Sequence, residues 1–183
     1  MPVNVPLAEP LLVVLVGPPG SGKTTWARRH GQGAVHVSQD DLIDAITPHG
    51  FEYIYRPIYA AAEAAIARTA LAAGHTVIVD RTNRTRALRE RWLRIARAAG
   101  CPVVAVVMTA DRSLCEERNR ARTGPRRVSD DRMERMLAAM EPVALDEGFA
   151  ATFDGDAVTL AGILARLKPG RKESGHEYCH EAR

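Results

Sequence analysis

The stretch Leu11-Leu12-Val13-Val14-Leu15-Val16-Gly17-Pro18-Pro19-Gly20-Ser21-Gly22-Lys23-Thr24 runs six apolar residues into a glycine-rich turn that ends on a lysine and a hydroxyl. Six apolar residues rich in valine suit a strand buried on both faces, and Lys23–His30 reads as the helix that follows. From Gly17 onward the segment satisfies G-x-x-x-x-G-K-[ST] in the context that gives the motif meaning, directly after a strand and directly before a helix. Glycines are needed because the backbone must wrap closely around phosphate oxygens and turn its N–H groups inward at the positive end of a helix. The expected nucleotide contacts, for ATP, are Gly17, Pro18, Pro19, Gly20, Ser21, Gly22, Lys23, Thr24 and Thr25. Lys23 bridges the β- and γ-phosphates in this reading, and the Thr24 hydroxyl ligates Mg2+.

Outward from this loop, apolar runs of strand length alternate with longer amphipathic stretches. Leu11–Val16, Ala34–Val37, Thr76–Val79 and Pro102–Met108 read as buried strands, with a weaker fifth near Ala151–Phe153. Helices are expected at Lys23–His30, Arg56–Ala73, Arg86–Ala99, Ser113–Arg122, Asp130–Ala139 and Ala157–Leu167, with Gly74 and Gly100 as stop signals. The alternation predicts a doubly wound α/β domain, a five-stranded mainly parallel sheet with helices on both faces, and the glycine loop after its first strand makes the P-loop NTPase fold the expected one. Residues 1–167 read as one domain carrying a helical, arginine-rich lid at about 112–139, and the polar, unpatterned segment 168–183 as a flexible tail.

The net charge of +3 hides an asymmetry. Residues 81–135 hold fifteen arginines and no lysine against seven carboxylates, a local charge of +8, whereas residues 1–80 carry −2 and residues 136–183 carry −3. An anionic partner is drawn to the middle of the chain, where guanidinium forks suit phosphate. A solvated basic helix face is the alternative. Three widely spaced cysteines, Cys101, Cys115 and Cys179, form no CxxC pair and predict neither a disulfide framework nor structural zinc. That cysteine usage suits a reducing cytoplasm, and the apolar run Leu11–Val16, too short to span a bilayer, predicts a soluble protein.

Nucleotide binding alone does not specify chemistry, so the strand ends matter. Val37-Ser38-Gln39-Asp40-Asp41 places two carboxylates at the C-terminal end of the second strand, where open α/β sheets hold ligands. Asp40 can accept a proton from an attacking hydroxyl, or it can cap the helix that follows; Asp41 caps or points outward. The third strand ends in Asp80, which resembles a Walker B acid that holds a magnesium water or orients Thr24. Arg81, Asn83 and Arg84 then either face the acceptor crevice or form a solvated turn. The segment Arg118 to Arg127 leaves one helix, turns at Gly124-Pro125 and enters another, the shape of a lid whose arginines close on phosphates. Arg118 and Arg122 share a helical face, and Arg126 is a further expected nucleotide contact.

With these residues in place the chain resembles the P-loop polynucleotide kinases, the 5′-hydroxyl kinase domains of end-healing enzymes, and their small AAA-type ATP-binding relatives. The likeness rests on Gly17 through Trp26-Ala27-Arg28, on Gln39-Asp40-Asp41, on Val79-Asp80 with Thr82-Asn83, and on Arg118-Asn119 with Arg122. Glu141-Pro142 and Glu147-Gly148-Phe149 match the segment after the lid. The resemblance implies an ATP-dependent kinase in which Asp40 is the general base, Lys23 and Arg122 clamp the phosphates and Arg118 supports the nucleotide. It implies a nucleic-acid 5′ end as the favoured acceptor, with a small metabolite, an antibiotic or a modified base as the second. One departure bears on that choice: Ile43 stands where the family often has an arginine, three residues beyond the base. A non-catalytic ATP-binding regulatory module is the third reading. Phe51, Tyr53, Tyr55 and Tyr59 offer either a stacking face for a base or ordinary packing. His176, Cys179 and His180 lack a second ligand group and are given no metal role.

Overall fold

The computed structural model describes residues 10–47 and 49–167. Strands β1 (Leu12–Val16), β2 (Val35–Ser38), β3 (Val77–Asp80), β4 (Val103–Val107) and β5 (Ala151–Asp154) form one sheet in the order β2-β3-β1-β4-β5. Every pairing is parallel, so the sheet is wholly parallel rather than mainly so. Helices α1 (Lys23–His30), α2 (Gln39–Ile46), α3 (Arg56–Ala72), α4 (Arg86–Ala99), α5 (Arg112–Arg120), α6 (Asp130–Ala138) and α7 (Leu160–Leu167) connect and cover it.

The two-residue period of β1 decides which helices lie where. Leu12, Val14 and Val16 pack with Ala67 and Leu71 of α3 and Trp92, Leu93 and Ala96 of α4. Leu11, Val13 and Leu15 pack on the opposite face with Trp26 and Ala27 of α1 and Leu160 and Ile163 of α7. A central parallel strand buried on both sides therefore reads as unbroken hydrophobics. Crossovers on both sides bring the C-terminal ends of the strands together at one rim, and chain reversal between the flanks of β1 opens a crevice there. Register sharpens the placement: Ser38 pairs with Asp80, so the segment entering α2 and the acid ending β3 are neighbours.

Helix α2 is the helix expected after Asp40, to which the sequence gives no bounds because its first turn is polar and only Leu42, Ile43 and Ile46 mark an apolar face. Ser38 caps it, accepting the Asp41 amide at 3.2 Å. Asp40 is thus freed from the capping role and lies inside the first turn. α7 starts three residues later than expected, with the Thr159 hydroxyl accepting the Gly162 amide at 3.1 Å. The sequence-predicted tail at 168–183, with Cys179, lies outside the described residues.

Candidate active site

Positive-φ glycines shape the phosphate loop. Gly20 has φ +82°, and a β-carbon there would meet the backbone of Cys115, its carbonyl oxygen at 2.5 Å, so α5 can press on the loop only with glycine at this position. Gly22 caps α1 at φ +99°. Because α1 begins at Lys23, the amides of Lys23, Thr24 and Thr25 have no intrahelical acceptor and aim at the crevice as anion donors. Gly17 differs from its expected part: its N–H donates to the Thr82 carbonyl at 3.1 Å, tying the loop to the chain after β3. The Ser21 amide likewise closes a turn on the Pro18 carbonyl at 3.2 Å.

Lys23 is buried, and its Nζ lies within the loop, donating to the carbonyls of Gly17 (2.9 Å) and Pro18 (2.7 Å) and to Ser21 Oγ (3.3 Å). Burial pulls its pKa down to about 8, with Arg122 adding to that pull while Asp80 and Asp40 oppose it. Asp80 is buried as well, and His36 Nε2 meets its Oδ2 at 3.2 Å. Burial alone would raise the Asp80 pKa, but hydrogen bonding from His36 and Thr24 and the Lys23 charge hold it below its ordinary value. Asp40 is shifted the other way. Burial and the neighbouring Asp80 charge raise it, against the pull of Arg126, Arg122 and Lys23. The pKa values of two carboxylates at one rim are thereby driven apart, Asp80 downward and Asp40 upward.

Two cavities meet at these side chains. The first, about 520 Å³, is lined by Lys23, Thr24, Asp40, Asp80 and Arg122 and widens past Ile43 toward Phe51 and Tyr53. The second, about 570 Å³, runs along Gly20–Trp26 toward His30, Gly155 and Asp156, with Arg118 on its wall. Lys23, Thr24 and Arg122 belong to both. Arg118 donates to the Gly20 carbonyl at 3.2 Å, which fixes the lid helix α5 to the phosphate loop. Asn119, also buried, clasps the lid loop with a pair of bonds to the Val128 backbone at 2.7 and 3.0 Å.

Several expected site residues behave differently. Arg126 lines the first cavity and not the second: its Nη2 pairs with Asp41 (2.9 Å) and Asp44 (2.5 Å), linking the lid to α2 across that cavity. The reason is Coulombic, since α2 presents two half-exposed carboxylates at the right height. Asn83 lines the crevice with its backbone, but its carboxamide turns inward, donating to the Leu15 carbonyl at 2.8 Å and accepting from the Trp92 indole at 3.0 Å. It sits at φ +44°, a left-handed turn that asparagine tolerates better than most residues. Arg81 lines the crevice, held at 2.8 Å by the buried carboxylate of Glu63, which also takes Arg91. Arg84 lines it with no carboxylate partner among the described residues.

His36, Glu63 and Arg89 are not among the site residues expected from the sequence. His36 carried a signal, a titratable residue inside a short strand; Glu63 and Arg89 did not, because amphipathic helices routinely carry such residues. Among the described residues no three His, Cys, Asp or Glu side chains form a metal cage. A hydroxyl beside one ionised carboxylate fits Mg2+, which takes few protein ligands and fills its shell with phosphate oxygens and water.

Residues 12–143 match the family model described as AAA domain. A shikimate kinase of Frankia casuarinae is 32% identical over 181 residues, spanning 88% of this chain and 76% of its own length. Among solved structures, Chaetomium thermophilum Kti12 in complex with ADP-AlF3 superposes with a TM-score of 0.63 at 20% identity, covering 85% of this chain and 93% of that one. A chain of the Pnkp1/Rnl/Hen1 RNA repair complex gives 0.60 at 22% identity, covering 76% of this chain and 46% of its own. No helix among the described residues is long and apolar enough to cross a membrane. With its glycine loop, parallel sheet and arginine lid, the chain belongs to this AAA domain family and has the fold of its P-loop kinases.

Proposed function

We propose that the protein transfers the γ-phosphoryl group of ATP to a hydroxyl of an anionic acceptor, with a nucleic-acid 5′ end favoured. The observation that carries this reading is the pair of cavities sharing Lys23, Thr24 and Arg122, with Asp40 on the acceptor side alone. A binding module needs one pocket; transfer between two molecules needs two that meet where the moving group passes.

In this reading the α1 amides and Lys23 hold the nucleotide's phosphates, and Thr24 and Asp80 would hold Mg2+, which would supply charge neutralisation for the transfer. Asp40 takes the proton of the acceptor hydroxyl as its oxygen bonds to Pγ, and the Pγ–O bond to ADP breaks. The raised pKa of Asp40 makes it a stronger base than an exposed aspartate. Arg122, on the shared wall, stabilises the charge spread over the transferring group. Arg56, Arg84, Arg127 and Arg132 line the acceptor cavity without carboxylate partners among the described residues, which favours an anionic acceptor.

A second reading, a small hydroxy acid as acceptor, is favoured by the kinship to a shikimate kinase and by Ile43 on the cavity wall. Incubation with Mg2+ and γ-labelled ATP against a panel of 5′-hydroxyl oligonucleotides and small hydroxy acids separates the two. Label in oligonucleotide supports the first reading, label confined to small acids the second. No transfer to any acceptor, with ATP still bound, rejects the kinase function.

A further inference from the structure

Four aromatic residues, Phe51, Tyr53, Tyr55 and Tyr59, run from the segment after α2 into the start of α3, and the fold treats them unequally. Tyr59 is buried, its hydroxyl 2.6 Å from Thr47 Oγ1 and accepting the Glu52 amide at 3.4 Å. Phe51 leans on it with ring centroids 5.6 Å apart. Tyr53, by contrast, is 75% exposed and Phe51 39%, and both line the mouth of the acceptor cavity. Packing therefore explains Tyr59 and leaves two ring faces at the rim. Each already has a guanidinium beside it: Arg132 lies 5.8 Å from the Phe51 centroid and Arg56 lies 5.9 Å from that of Tyr53.

We infer that Phe51 and Tyr53 form a stacking lip for a base near the 5′ end of the acceptor strand, with Arg56, Arg132 and Arg127 taking the adjoining phosphates. The inference rests on the nucleic-acid reading above and names the residues that would set acceptor specificity. Aromatic faces interleaved with arginines that have no carboxylate partner among the described residues suit single-stranded nucleic acid, since every base has a π-face and every linkage a charge. The same arginines argue against a second copy of the chain as occupant, because a two-fold contact through this patch would set like charges against each other.

The test compares wild type, Tyr53→Ala and Tyr53→Phe on a 5′-hydroxyl oligonucleotide and on the same oligonucleotide made abasic at its first two positions. The expected result is a rise of about tenfold in the oligonucleotide KM for Tyr53→Ala, with saturating turnover near wild type and recovery in Tyr53→Phe. The abasic substrate is expected to lose about the same factor with wild type and little more with Tyr53→Ala. Because Tyr53 is exposed, melting curves should coincide. An unchanged KM for Tyr53→Ala, or equal use of intact and abasic strands by wild type, overturns the lip. Transfer to small hydroxy acids but no oligonucleotide overturns it while sparing the kinase function; transfer to nothing removes both. A wild-type dimer that Tyr53→Ala converts to monomer also overturns it, since the patch would then be a subunit contact.

Discussion

Replacing Arg89 by methionine should destabilise the protein more than almost any other single change near the site. Arg89 is 0% exposed, and all five of its N–H groups are engaged. Nε and Nη2 grip the Glu147 carboxylate at 2.7 and 2.6 Å, Nη1 reaches the carbonyls of Asn83 and Glu141 at 3.1 Å, and Nη2 reaches that of Pro142 at 3.0 Å. Methionine keeps the stem's packing but strands a buried carboxylate and three carbonyls. Breaking a buried pair from one side costs about 3–5 kcal/mol, and at about 2–4 °C per kcal/mol for a chain of this size the melting point should fall by roughly 6–20 °C. Calorimetry and urea titration read this directly. Arg89→Met combined with Glu147→Leu should recover part of the loss, because no uncompensated charge remains. Burial pushes the Glu147 carboxyl up, but the bonds from Arg89 and the Ala144 amide hold it below its ordinary value. Its contribution is therefore present at neutral pH and is lost as the pH falls through the folded-state value. A single variant that melts within about 2 °C of wild type, or a double variant no better than the single, refutes the reasoning.

Two further predictions come from the rim. Since burial brings Lys23 to about 8, ATP affinity should fall as pH rises from 7 to 9, with proton uptake on binding near pH 8 measured by calorimetry in buffers of different ionisation enthalpy. Global stability should not fall with it on Lys23's account, because the unfolded lysine holds its proton up to about 10.5 and folding is favoured as pH climbs between the two values; a flat affinity across this range contradicts the burial argument. Asp44→Asn removes the charge from the carboxylate that takes Arg126 at 3.2 and 2.5 Å, and should speed tryptic cleavage in the lid loop about two- to fivefold at low salt, as befits an exposed pair. At 1 M salt the variants should converge through screening; equal rates at low salt would show that the latch does not hold the lid.

Most of the fold was legible because buried parallel strands are local signals: Leu11–Val16 and Pro102–Met108 announce themselves by composition, and the glycine loop fixes where the first crossover starts. The position of Asp40 beside Asp80 was readable only in outline, from the rule that ligands gather at strand ends; the register that pairs Ser38 with Asp80 is a tertiary fact. Helix α2 was legible only as a helix after Asp40, without bounds, because its polar first turn hides where the apolar face begins. Asn83 and Arg126 show the limit most clearly. Both looked like ligand contacts by type and place, yet one side chain is claimed by Trp92 and the Leu15 carbonyl and the other by two aspartates on α2. Nothing local announces which of several partners a polar side chain will find across the fold. The aromatic lip follows the same logic in reverse, since spacing alone could not tell the buried Tyr59 from the exposed Tyr53.

The measurement that bears most directly on the transfer reading pairs calorimetry of Mg-ATP binding with label transfer from γ-labelled ATP, in wild type and in Asp40→Asn. The account predicts that the variant binds Mg-ATP within about threefold of wild type while transfer falls by about 10²–10⁴, the range for loss of a general base. Near-normal transfer by Asp40→Asn, or a wild type that gives no heat with Mg-ATP, would contradict it.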